Sequence, residues 1–61
     1  MNKDLAGEII TSLYWCRKLR VKKSKWRVVI AKKFREHGIF NQYTTEEFCN
    51  VWDNLKKLGL I

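Results

Sequence analysis

Sixty-one residues can enclose one hydrophobic core and leave nothing for a second, so residues 1–61 are expected to form a single domain. A domain this small hides only about 60% of the surface its unfolded chain exposes, and it needs large core side chains, a staple or a partner to be stable. The large side chains are present: Trp15, Trp26 and Trp52, with Phe34, Phe40, Phe48, Tyr14 and Tyr43. Hydrophobic residues make up 46% of the chain, and no long polar or repetitive tract interrupts them, which argues for a folded chain over a disordered one.

The apolar pattern has helical period. Leu5, Ile9, Leu13 and Cys16 recur at three-and-four spacing, with Ile10, Trp15 and Leu19 expected to widen the stripe, and predict a first helix over about 2–20. Gly7 in its second turn costs about 1 kcal/mol against alanine, which marks either close packing of another backbone or a weak start. The polar run Lys22-Lys23-Ser24-Lys25 breaks the period, and Ser24 is the expected N-cap of a second helix over about 25–37. Trp26, Val29, Ile30 and Phe34 would face inward there, and Gly38 would close the helix in the left-handed conformation. Val28, Val29 and Ile30 also permit a short strand, but the following Ala-Lys-Lys-Phe-Arg-Glu favours helix.

Ile39 to Tyr43 reads as a loop with two apolar plugs. Thr44 and Glu47 then have capping-box spacing and open a third helix over about 44–58, with Glu46 and Glu47 at the positive end of its dipole. Phe48, Val51, Trp52, Leu55 and Leu58 form its inner stripe, Lys56 and Lys57 suit the negative end, and Gly59 stops it. The expected fold is all-α: a compact three-helix domain of helix-turn-helix-like form.

Charge is distributed very unevenly. Residues 1–16 carry one lysine and two acids, residues 36–61 carry two lysines and four acids, and residues 17–35 carry ten lysines and arginines with no acid at all. Folding a helix end, a turn and the next helix together brings these cations within about a Debye length, roughly 8 Å, where they repel. A polyanion relieves that repulsion, and Lys and Arg at this density neutralise phosphates and release condensed counterions. The expected binding face comprises Arg17, Lys18, Arg20, Lys22, Lys23, Lys25, Arg27, Lys32 and Arg35, with Lys33 at the core edge, its stem packed. The bland alternative is a solvated surface that keeps a small protein soluble.

Three strings carry a family resemblance: Ile30-Ala31-Lys32-Lys33-Phe34, Thr44-Thr45-Glu46-Glu47-Phe48 and Leu55-Lys56-Lys57-Leu58-Gly59-Leu60-Ile61. Together they resemble the helix-turn-helix part of winged-helix DNA-binding domains, over residues 30–61. The resemblance implies that the third helix is a recognition helix leading into a β-hairpin wing, which this sequence lacks. That helix would lead with Glu46 and Glu47 and expose Asn50, Asp53 and Lys57, and carboxylates facing phosphates lower affinity unless they read cytosine amino groups. Contacts are therefore expected from the turn at Lys22–Lys25 and the exposed sides of the first two helices, mostly to backbone and with weak sequence selectivity.

Signatures of catalysis are not visible. The sequence has no glycine-rich phosphate loop, no His-Glu-x-x-His and no Cys-x-x-Cys. His37, the sole histidine, falls on the side of Trp26 and Ile30 and is expected to be packed or to face the helix C-terminal dipole. Cys16 and Cys49 could form one bridge, but they lack zinc-site spacing and the density of a disulfide scaffold, and free, partly buried thiols are the first expectation. No secretory signal is read, and the charge-free run Ile9–Cys16 is too short to span a bilayer, which needs about 20 apolar residues. A reducing, cytoplasmic setting follows as the expectation.

A small nucleic-acid-binding protein, an accessory or regulatory factor of the compact kind encoded by viruses and mobile elements, is the first functional expectation, with DNA placed ahead of RNA. The second is an inhibitor or adaptor that docks its basic face on an acidic protein surface, using arginine and the spare aromatics Tyr14, Phe40 and Tyr43. The third is a cationic membrane-active peptide: tryptophan, lysine and helix length together resemble leaderless bacteriocins, although six acids and two cysteines oppose interfacial insertion. No enzyme, cofactor, metal or membrane partner is expected, and a monomer and a homodimer suit the small core equally.

Overall fold

A computed structural model describes residues 2–38 and 42–61. Three helices form: α1 (Lys3–Lys18), α2 (Trp26–Glu36) and α3 (Thr45–Lys57), with a single 3-10 turn, Lys23–Lys25, leading into α2. No strand occurs among the described residues, and the protein is an all-α, three-helix globule. The helices are a residue or two shorter at each end than the ranges 2–20, 25–37 and 44–58, because those ranges include residues that cap the helices without belonging to them.

α1 starts on Asn2, whose Oδ1 accepts from the Leu5 amide at 3.1 Å. α3 starts on Thr44 as its spacing predicts, the hydroxyl accepting from the Glu47 amide at 3.1 Å. The other half of the expected capping box is redirected: the Glu47 carboxylate turns away from Thr44 and accepts from Asn2 Nδ2 at 2.7 Å. Ser24 is not the N-cap of α2. It lies inside the 3-10 turn, where Lys25 donates to the Lys22 carbonyl at 2.9 Å, and neither turn nor helix has a side-chain cap. A backbone already closed by an i to i+3 bond has no need of the serine hydroxyl. The entry to α2 is held instead by the Trp26 indole, which donates to the Val21 carbonyl at 2.8 Å.

Gly59, with φ 77°, closes α3 in the left-handed region: Leu60 donates to Leu55 and Gly59 to Lys56, at 3.0 and 3.1 Å. α1 ends by the same pair of bonds without a glycine. Arg20 adopts φ 58°, its amide donates to Arg17 at 3.1 Å, and Val21 donates to Cys16 at 2.9 Å. Gly38, φ 70°, takes the place predicted for it after α2.

α1 packs against both other helices. The core consists of Leu5, Ala6, Ile9, Leu13 and Cys16 from α1, Trp26, Ile30 and Phe34 from α2, and Phe48, Val51, Trp52 and Leu55 from α3. Phe34 meets Phe48 edge-on at 5.7 Å, and Phe48 stacks with Trp52 at 5.8 Å. Val29 is half-buried at the margin. The widening of the α1 stripe does not occur: Ile10, Trp15 and Leu19 are exposed, Trp15 at 48%. With two neighbours both on one side, α1 buries only a narrow sector. Leu58 is likewise exposed, because α3 has ended before it, while Ile61 packs on the core.

His37 is exposed and serves as the C-cap of α2 through its backbone, not as a packed side chain. Lys33 is exposed as well, although its ammonium acts electrostatically on Cys16. Nothing approaches within 4 Å of a Cβ placed on Gly7, so no backbone packs there. Of the loop, Ile39 and Phe40 lie outside the described residues, and Tyr43 packs half-buried against the core.

Candidate functional site

Every cation of the 17–35 block is exposed. None of them is paired with a carboxylate among the described residues. The fold nonetheless divides them. Arg27, Lys32 and Arg35 fall on one flank of α2, at spacings that keep them within a single helical sector. They border a groove of about 500 Å³ between α2 and α3, walled also by Val28, Ala31, Thr45, Phe48 and Cys49 and by no acid. Arg27 bridges the two helices, its Nη2 donating to the Cys49 Sγ at 2.8 Å. On its other side Arg27 meets a second concavity, lined by Lys23, Ser24, Trp52, Lys56 and Ile61.

The remaining cations are placed elsewhere. The Arg17 guanidinium lies over the Trp26 ring at 5.3 Å and donates to the Leu60 carbonyl at 3.0 Å, so it helps fasten the chain end to α1. Lys18 sits over the exposed Trp15 ring at 5.2 Å, beside Tyr14, which meets Trp15 edge-on at 5.8 Å. Lys33 points to the α1 side of α2, where burial raises the Cys16 pKa and the Lys33 ammonium partly opposes the rise. Arg20, Lys22 and Lys25 belong to the connection between α1 and α2. The nine predicted residues thus form one tight group of three, continued by Lys23, and a looser remainder.

Sequence reasoning missed Lys56, which α3 brings beside Lys23 and Arg27 from outside the basic block. Its membership depends on packing between elements, and no local signal announces it. The apolar wall of the α2–α3 groove was missed for the same reason.

α2 also differs from its neighbours at its start. α1 has Asp4 in its first turn and α3 has Glu46 and Glu47, whereas the first turn of α2 has no acid. Three of the six acids, Glu46, Glu47 and Asp53, lie on α3; Glu46, Asn50, Asp53 and Lys57 are exposed as expected, and Glu47 and Asp53 line a separate polar groove with Asn2, Asn50, Asn54 and Lys57. Both cysteines are free thiols. Among the described residues no cluster of His, Cys, Asp and Glu is placed to hold a metal ion, and no helix is long and apolar enough to cross a membrane.

The chain matches no protein-family model, no curated protein and no solved structure.

Proposed function

We propose that the protein binds nucleic acid, DNA ahead of RNA, as an accessory or regulatory factor, chiefly through phosphate contacts from the flank of α2 and the turn that precedes it. The observation that carries this reading is the grouping of Arg27, Lys32 and Arg35 on one helical flank beside a wall free of acids, with Lys23 and Lys56 continuing the same surface. Their charges are exposed and lack carboxylate partners among the described residues, so their mutual repulsion is relieved only by counterions or by a polyanion. Arg27, Lys32 and Arg35 border one groove and Lys23, Arg27 and Lys56 the adjoining one, so it is these cations that act on an approaching ligand together.

The carboxylates exposed on α3 support the same view of how binding occurs. A helix presenting Glu46 and Asp53 is poorly suited to enter a groove walled by phosphates, so the recognition-helix role implied by the winged-helix resemblance does not transfer to it. Contacts from α2 to the nucleic-acid backbone carry little sequence information. The two free thiols suit a reducing, cytoplasmic setting. The work proposed is binding, without catalysis.

Fluorescence anisotropy with a labelled duplex, repeated between about 50 and 200 mM salt, tests the proposal. Neutralising three to five phosphates predicts a slope of log affinity against log salt of about −3 to −4.5. Affinity independent of salt would remove phosphate contact as the basis of binding.

A further inference from the structure

Phosphate contacts use the cations around the α2–α3 groove but leave its interior without a role. Its wall includes Val28, Ala31 and Phe48, and Val28 is 70% exposed in the middle of a helix otherwise edged with charge. Phosphodiester oxygens gain nothing from an apolar wall, since they keep their hydration or meet charged donors. A concave apolar strip with a charged border is instead the arrangement by which a groove takes an amphipathic helix: the apolar side chains enter, and the border selects partners by charge.

The register along α2 sharpens this. Arg27, Ala31 and Arg35 stand one turn apart in a row, and Val28 and Lys32 stand in the next, so apolar positions alternate with cations along the groove. The complementary ligand has apolar side chains flanked by carboxylates at one-turn intervals. The border is uniformly positive and the wall has no acid, which disfavours a neutral or basic segment.

We infer that the α2–α3 groove docks an acidic amphipathic segment of another protein, seating apolar side chains over Val28 and Ala31 and placing carboxylates on Arg27, Lys32 and Arg35. The segment shares these cations with nucleic acid, so the two ligands compete there, but the apolar seat belongs to the segment alone.

The test uses the full chain and two labelled probe peptides. One is a helical peptide with leucine on one face and glutamate on the other, and the second has the same charge with every leucine replaced by serine. The leucine peptide binds at least about tenfold more tightly than its serine counterpart, and shifts the amide resonances of Ala31, Lys32 and Cys49. Val28→Ser removes apolar surface without altering charge, at an exposed position where the fold is unaffected. It weakens the leucine peptide about fivefold and leaves the affinity for a single-stranded or duplex oligonucleotide, and its salt slope, unchanged. Equal binding of the two peptides would overturn the inference, as would indifference of the leucine peptide to Val28→Ser. An oligonucleotide weakened by Val28→Ser as strongly as the peptide would assign the groove to nucleic acid and overturn it too. The salt slope of the oligonucleotide arm separately reports whether phosphate binding itself fails.

Discussion

Asn2 and Glu47 are 45 positions apart in the chain and are joined by a 2.7 Å hydrogen bond from Nδ2 to Oε1, which ties the first residue before α1 to the first turn of α3. The same asparagine caps α1 through its other side-chain atom. One short side chain therefore starts a helix and fastens it to another.

Asn2→Ala removes both bonds and is expected to destabilise the domain by about 1–2 kcal/mol in urea denaturation. Asn2→Ser, which retains a capping oxygen but cannot reach Glu47 with an amide, should lose roughly half as much. Equal losses for the two variants would mean that the tie to Glu47 contributes nothing to stability.

Arg20 adopts a left-handed φ of 58° where helices usually end on glycine. Arg20→Gly is expected to raise stability by about 0.5–1 kcal/mol, read as an increase in Tm. The same change removes a cation from the connection preceding α2 and should weaken oligonucleotide binding, so stability and affinity move in opposite directions. The converse change at the end of α3, Gly59→Ala at φ 77°, should lower Tm even though space for the methyl is open.

Lys32 and Lys33 are adjacent, but only Lys32 borders the α2–α3 groove, while Lys33 acts on Cys16 on the α1 side. In anisotropy titrations, Lys32→Ala should reduce the salt slope for duplex binding by about 0.9, the amount for one phosphate contact. Lys33→Ala should change it by clearly less. Equal effects would mean that net charge, not the face of α2, governs binding.

Burial pushes the Cys16 thiol above its ordinary pKa, and the Lys33 ammonium opposes the rise. Cys16 is buried and Cys49 only half-buried, so a thiol reagent added to native protein near neutral pH should label Cys49 first and Cys16 only with unfolding. Because the folded-state pKa is the higher one, the folded chain holds this proton more tightly than the unfolded chain. The associated stability is complete below the ordinary thiol pKa and is lost as pH rises through the raised value. Urea midpoints should therefore fall on the alkaline side, and Cys16→Ser should flatten that decline. Rapid native labelling of Cys16 would show that the site opens far more readily than its packing implies.

Much of the fold was legible because it rests on local spacing. The inward residues Leu5, Ile9, Leu13 and Cys16, then Ile30 and Phe34, then Phe48, Val51, Trp52 and Leu55 lie on single helical stripes, and helical stripes need only sequence period to be seen. Thr44, Gly38 and Gly59 work within one turn of the backbone they serve. The misplaced residues depend on neighbours distant in sequence. Trp15 and Leu19 are exposed because both partners of α1 lie on its other side, and Glu47 is drawn from its own helix start by an asparagine at the far end of the chain.

The candidate site divides in the same way. Which residues are basic, and that no acid lies among residues 17–35, is a property of the sequence, and the surrounding cations repel in any fold that keeps them on the surface. Which of them act together is not. Packing of α1 against both other helices decided that Arg27, Lys32 and Arg35 line one groove, that Lys56 joins Lys23, and that Arg17 rests on Trp26. Charge is carried by individual residues and can be counted along a chain, whereas a concave surface exists only between elements, once side chains from distant positions have buried one another.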